Sequence, residues 1–301
     1  MAKSSTISPL IITGMHRSGT SLLTRLLQNF GIDFGLCQDR NNEATFFLRR
    51  NEAIIKLLGF DWAQIDGFPI SFKEFRDGEN LIRKLEEDIS GISTLSFLGI
   101  QKYLNLNSLN NINYSWGWKD PRNTLLLPLW IELFPKSKII NIVRNGVDVA
   151  NSLLIREQKR KNSIIKRNFS IKALYNKIDV VRVKNKYKVT PHVTLNSNLT
   201  LQECFDLWAS YTSHFEKLLD VNNITVLSIQ YEDLISNPKK TLLDIFRYLE
   251  KDFKLTILDD VVKSIDQSRG YAFTKNQKLI KFYHLVSNHT VMSRYGYNRI
   301  F

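Results

Sequence analysis

The segment GMHRSGTS, Gly14 to Ser21, places two glycines at the G-x-x-x-x-G spacing of a phosphate-binding loop, with Thr20 where that motif carries its lysine. Glycine lets the backbone turn tightly enough for successive N–H groups to point inward, and a helix starting directly after the turn adds the positive end of its dipole. Arg17 supplies the charge of the missing lysine, and Ser18, Thr20 and Ser21 offer hydroxyls to phosphate oxygens. Gly14, His16, Arg17, Ser18, Gly19, Thr20 and Ser21 are therefore a candidate anion site. The competing reading is an ordinary glycine turn with an incidental arginine. A second grip stands further on, where Arg144 ends an apolar run and Ser152 follows eight residues later. A strand-end guanidinium can hold a terminal phosphate through two parallel charge-assisted hydrogen bonds, and the hydroxyl can face the same pocket from a helix. The competing reading is a solvated arginine beside Asp148.

Such groups need elements that end where they begin. Leu10 to Thr13 is a short apolar run broken by Gly14, and Leu22, Leu23, Leu26 and Leu27 follow at helical spacing. The grammar returns at Lys138 to Val143, broken by Arg144, Asn145 and Gly146 before Val149, Leu153 and Leu154. It recurs at Ile224 to Ile229, after which Asn237 and Pro238 read as N-cap and first helical position of KKTLLDIFRYLE. Strands without alternation, each followed by a helix, predict an α/β fold with a central parallel sheet covered by helices on both faces and a site beyond the carboxyl ends of the strands. Asp61 to Gly99 reads as a helical region with loops. Arg156 to Thr190 is basic and weakly periodic, which predicts a mobile flap or a solvated helix pair. With no internal repeat, low-complexity stretch or Pro/Gly-rich linker, residues 1–301 read as a single domain.

The chain has 301 residues, of which 43% are hydrophobic, enough for a sizeable core. A formal net charge of +13 favours anionic partners without choosing among them. Cys37 and Cys204 are too few for a disulfide framework or a zinc cluster, so a reducing, cytoplasmic setting is expected. The apolar run before Gly14 is too short for a secretory signal, and no apolar run reaches the roughly 20 residues of a membrane span, so a soluble protein without an anchor is expected.

GMHRSGTS after an apolar strand resembles the 5′-phosphosulfate loop of the sulfotransferase superfamily, whose usual form is close to x-x-R-S-G-T-[ST]. The resemblance implies a P-loop-NTPase-like sheet and 3′-phosphoadenosine 5′-phosphosulfate (PAPS) as donor, leaving adenosine 3′,5′-bisphosphate (PAP). Arg17, Ser18, Gly19, Thr20 and Ser21 match the positions that hold the 5′ end. FPKSKIINIVRNGVDVANSLL looks like the 3′-phosphate motif, with Arg144 and Ser152 in its arginine and serine places. WGWKDPRN resembles the lysine turn of the tyrosylprotein and bacterial branches, which puts Lys119 near the bridging oxygen, where it would neutralise charge on the departing nucleotide, with Asp120 orienting it or capping a turn. A simple proline corner before TLLLPLWIELF is the competing reading. In that branch a glutamate one to two dozen residues past the loop serves as base, and Glu43 is the nearest counterpart, with Glu52, Asp39 and His16 left open. A surface Glu43 paired with Arg40 or Arg49 is the plain alternative. IQYEDLISNPKKTLLDIFRYLE resembles a further family stretch in which Tyr231, Glu232 and Asp233 support the fold. The four blocks span Leu10 to Leu249. Together they imply in-line transfer of a sulfuryl group to a hydroxyl or amine without a catalytic metal, and a basic flap or acceptor-shaping insertion around 156–200.

Two other functions use the same residues. A P-loop kinase or NTPase would take Tyr231-Glu232-Asp233 as its magnesium-supporting carboxylates, although Thr20 and the strand-end arginine oppose it. A nucleic-acid-binding protein would use the basic region from Arg156 to Lys188 with Phe169, Tyr175 and Tyr187. Without a placed base the chain would bind the nucleotide and transfer nothing. The acceptor (sugar, lipid, peptide or small molecule) and the oligomeric state are open at this level.

Overall fold

The computed structural model describes residues 6–160, 171–188 and 199–301. Among these, β1 (Leu10–Thr13), β2 (Gly117–Lys119), β3 (Lys138–Val143) and β4 (Leu227–Gln230) form one sheet in the order β2-β1-β3-β4, with every pairing parallel. Ile12 pairs with Lys119 and with Ile140, and Val143 with Gln230, so the four carboxyl ends lie along one edge.

The apolar runs lack alternation because both faces are buried. Leu10, Ile12, Ile140 and Ile142 point into one core with helices α1 (Thr20–Asn29), α10 (Pro238–Leu249) and α11 (Leu255–Lys263). Ile11, Trp118, Ile139 and Val143 point into the other. There they meet α2 (Thr45–Leu57), α3 (Gly78–Ile89), α4 (Leu95–Leu106), α5 (Asn123–Leu133), α6 (Gly146–Arg160) and α8 (Leu201–Asn222). The short α9 (Tyr231–Ser236) follows β4, and α12 (Gln277–Val286) and α13 (Thr290–Arg294) complete the second layer. The third sequence unit differs from expectation. Ile224 does not pair in the sheet, because its N–H closes the end of α8 on the carbonyl of Leu219 at 3.0 Å, and the strand starts only at Leu227.

The basic region expected as a flap or solvated helix pair is described in part. Residues 161–170 and 189–198, including Phe169, lie outside the described residues, but α6 runs unbroken to Arg160 and α7 (Ile171–Tyr187) is docked on α2. Its inward residues mix polar and apolar types, Asn176 and Asp179 with Val183 and Tyr187, which is why apolar periodicity missed it. Asp179 bonds Arg49 at 2.7 Å and Arg50 at 2.9 Å, Asn176 accepts from Thr45 at 2.8 Å, and Tyr187 donates to Asp88 at 3.1 Å. A buried ion network, together with Val183 and the Tyr187 ring in the core, holds the helix. Both cysteines are buried and free. Among the described residues no helix is long and apolar enough to cross a membrane.

Candidate active site

All four strands deliver residues to one cleft of about 240 Å³. The loop after β1 brings His16, Arg17, Gly19, Thr20 and Ser21, the last residue of β2 is Lys119, Arg144 follows β3, and Tyr231 follows β4.

The loop's shape depends on residues that take positive φ. Gly14 (φ 138) packs against β3 so closely that a Cβ would lie 2.4 Å from the carbonyl oxygen of Ile142. At Gly19 (φ 99) a Cβ would lie 2.2 Å from the ring of Tyr231. Arg17 also takes a left-handed conformation, φ 72, which is costly for a residue with a side chain and is held here by the surrounding loop. From that position its Nε donates to Ser152 Oγ at 2.8 Å, tying the loop to α6 across 135 residues. Helix α1 begins at Thr20 without a side-chain cap, so its first N–H groups face the cleft unshielded.

Arg144 lies over the ring of Tyr231, 4.4 Å from its centre. Its Nη2 meets Asp148 and the carbonyl of Arg269, each at 3.2 Å, while its buried Nε has no partner among the described residues. An unpartnered guanidinium N–H beside the Arg17–Ser152 pair fits an anion's oxygens. Asp148 is not a surface partner. It is buried and also accepts the backbone N–H groups of Ala272 and Phe273, which anchors the segment carrying Arg269.

Lys119 is buried at the end of β2, which is wedged by the stacking of Trp118 on Phe47 at 3.9 Å. Its Nζ donates to the carbonyl of Asn41 at 2.6 Å, to Glu43 Oε1 at 3.1 Å and to Ser21 Oγ at 3.3 Å. Glu43 is therefore a buried carboxylate in the cleft, not a surface partner of Arg40 or Arg49, and its other oxygen is 3.7 Å from Arg122. Burial, helped by Asp120, pushes its carboxyl up to about 7 against the opposing pull of Lys119 and Arg122. Burial likewise holds the Lys119 ammonium below its ordinary value, with Glu43 acting to raise it.

Asp120 makes no side-chain bond to Lys119. It caps the turn at the N–H of Arg122 (2.9 Å), pairs with that guanidinium (3.0 Å) and accepts from Asn51 (3.0 Å). The other expected bases divide. Asp39 accepts the N–H groups of Asn41 and Glu43, each at 2.8 Å, and so shapes the loop that presents Glu43. Glu52 pairs with Arg122 at 2.8 Å and does not line the cleft. His16 does line it, edge-on to Trp62. Burial, followed by the charges of Arg156, Arg122, Lys119 and Arg17, holds its imidazole well below the usual range, so it stands neutral with Nε2 unpartnered among the described residues.

The side chain of Ser18 departs from expectation. Its hydroxyl is buried behind the loop with Asn141 and Trp208, because the tight turn directs residue 18 inward. Arg25, Arg40, Asn41, Arg156 and Arg269 line the cleft although sequence reasoning assigned them no place in the site. None of these follows a strand, and a lone arginine in a segment such as QSRGY carries no periodic or spacing signal. Glu232 is structural, accepting from Asn145 N–H at 3.1 Å and Tyr297 hydroxyl at 2.7 Å. Asp233 is exposed and outside the cleft, where it cannot serve a nucleotide bound there. Of the aromatics in the basic region, Tyr187 is buried and cannot stack on a base.

The sequence model of the sulfotransferase family matches residues 9–254. No curated protein matches the chain. Among solved structures, the sulfotransferase domain from the curacin biosynthetic pathway is 16% identical over 94% of this chain and 99% of its own, with a TM-score of 0.45. Sulfotransferase STF1 from Mycobacterium tuberculosis H37Rv is 14% identical over 87% of this chain and 72% of its own, TM-score 0.43. Sulfotransferase STF9 from Mycobacterium avium is 13% identical over 95% and 78%, TM-score 0.43. By the family match, which covers most of its length and all four strand ends of the cleft, the chain belongs to the sulfotransferase family.

Proposed function

We propose that this protein transfers the sulfuryl group of PAPS to a hydroxyl or amine acceptor, with Lys119 and Glu43 as the reacting pair. The observation that carries this reading is the direct contact of Lys119 with Glu43, 3.1 Å apart and buried, in a cleft that also holds Arg17 and Arg144 from the strand ends. Arg17, Thr20, Ser21 and the open N–H groups of α1 receive the 5′-phosphosulfate. Arg144, with Ser152 beside Arg17, receives the 3′-phosphate. The acceptor oxygen or nitrogen attacks sulfur in line, its proton passes to the Glu43 carboxylate, and the bond from sulfur to the bridging oxygen breaks. The electron pair leaves on PAP, where the Lys119 ammonium balances the charge. Holding Glu43 near neutral pH matches its proton affinity to that task.

Binding tests the reading without knowledge of the acceptor. PAP raises the thermal midpoint more than ATP with magnesium at equal concentration, because ATP has no 3′-phosphate for Arg144. Equal or greater stabilisation by ATP would overturn it in favour of a kinase-like enzyme.

A further inference from the structure

Helix α7 carries apolar residues on two sides. Its inward face sets Val183 and the ring of Tyr187 into the core and engages Asn176, Asp179, Lys186 and the Tyr187 hydroxyl in the polar network on α2 and α3. Its outward face carries Ile171 at 65%, Leu174 at 48%, Ile178 at 42% and Val181 at 57% exposure. These positions, separated by three, four and three residues, form one continuous stripe along a helix. An amphipathic helix facing water turns its apolar side inward, so a stripe turned outward marks an interaction surface.

The charges beside the stripe say what kind of surface fits it. Lys172, Lys177, Arg182, Lys184 and Lys188 are all exposed, and the one acid of the helix, Asp179, is turned inward and neutralised by Arg49 and Arg50. At its first turn the stripe continues onto Leu36 and Ile100, which with Ile171, Lys172 and Tyr175 line a hollow of about 790 Å³. The stripe is wholly aliphatic and its flanks are lysine-rich. Protein interfaces are poor in lysine, whereas an apolar stripe flanked by lysines suits the boundary of an anionic bilayer. A second copy of this chain is disfavoured, because pairing would set two basic faces together in a protein of net charge +13.

We propose that the outer face of α7 docks on an anionic lipid surface, with Ile171, Leu174, Ile178 and Val181 in the headgroup boundary and the flanking lysines over lipid phosphates. This is independent of what the cleft transfers.

Flotation of the full chain with phosphatidylcholine vesicles, and with vesicles that also contain phosphatidylserine, tests it. The protein floats with the phosphatidylserine vesicles, and raising salt from about 0.1 to about 1 M, which shortens the screening length severalfold, releases it. Leu174→Asp combined with Ile178→Asp lowers the bound fraction by roughly tenfold or more. Lys172→Glu with Lys184→Glu, which leaves the stripe intact, lowers binding to the anionic vesicles alone. Leu285→Asp, at an 81% exposed leucine on α12, changes nothing. An unchanged thermal midpoint and far-UV circular dichroism spectrum show that each variant is folded. Failure to float with anionic vesicles, or equal flotation of the Leu174/Ile178 variant, overturns the proposal. So does a dimer in light scattering that this variant splits, which would assign the stripe to a second copy.

Discussion

The arginines of the cleft and its lysine–carboxylate pair handle charge in different ways. Arg17 is exposed and bonded to a neutral hydroxyl, and Arg144 keeps one buried N–H without a partner among the described residues although it touches Asp148. Lys119 and Glu43 are buried and compensate each other, with Arg122 and Asp120 close behind. Cations with spare donors attract an anion that arrives from water and lose little when it leaves. A buried coupled pair gains nothing from occupancy alone, but its proton affinity responds to any charge that develops beside it. The first arrangement suits binding and the second suits chemistry.

Three substitutions separate them. Lys119→Ala has the largest effect: turnover, followed with labelled donor and an acceptor panel, falls by about 10²–10³ while PAP affinity by calorimetry changes far less. A matched loss of affinity would erase the contrast. Glu43→Gln lowers turnover by about 10²-fold or more and removes its pH dependence. In the native protein the base form of Glu43 is gained as pH rises through about 7, so the rate climbs across that range and then levels, whereas the glutamine variant is flat there. The same raised value acts against folding. Between its ordinary range and about 7 the folded protein holds a proton that the unfolded chain has released, so Glu43's contribution to stability falls as pH rises through that window. Arg144→Ala has the smallest effect on chemistry. It weakens PAP binding by about 1.5–3 kcal/mol, with AMP binding nearly unchanged and turnover at saturating donor preserved. Loss of turnover at saturation would place Arg144 with the reacting pair.

The same division runs through what was legible in the sequence. The loop after β1, Arg144 and Ser152, which line the cleft, were visible because each sits at a fixed distance from a strand end, and strand, break and helix are written in local apolar spacing. Lys119 was found by its turn. Glu43 was named among four carboxylates and imidazoles, and nothing in DRNNEATFF shows that it is buried or that it meets a lysine 76 residues away. The hydroxyl of Ser18 was read as facing an anion and is buried, since the direction of a side chain in a tight turn is set by backbone angles that composition does not encode.

Helix α7 escaped for the opposite reason. Its weak periodicity suggested solvent, yet Asn176, Asp179 and Tyr187 face a buried network, Val183 reaches the core and a stripe of four aliphatic residues faces out. Apolar spacing reports which face is greasy, and only packing decides which face is covered. The sequence by itself determined the parallel sheet, the loop and the residues that follow β1 and β3, because short-range sterics and hydrophobic burial act on neighbours along the chain. The tertiary structure alone decided the Lys119–Glu43 contact, the arrival of Arg269 from the far end of the chain and the outward stripe of α7. Those depend on how distant segments, joined by loops of no regular pattern, satisfy one another's charges and hydrogen bonds once water is excluded.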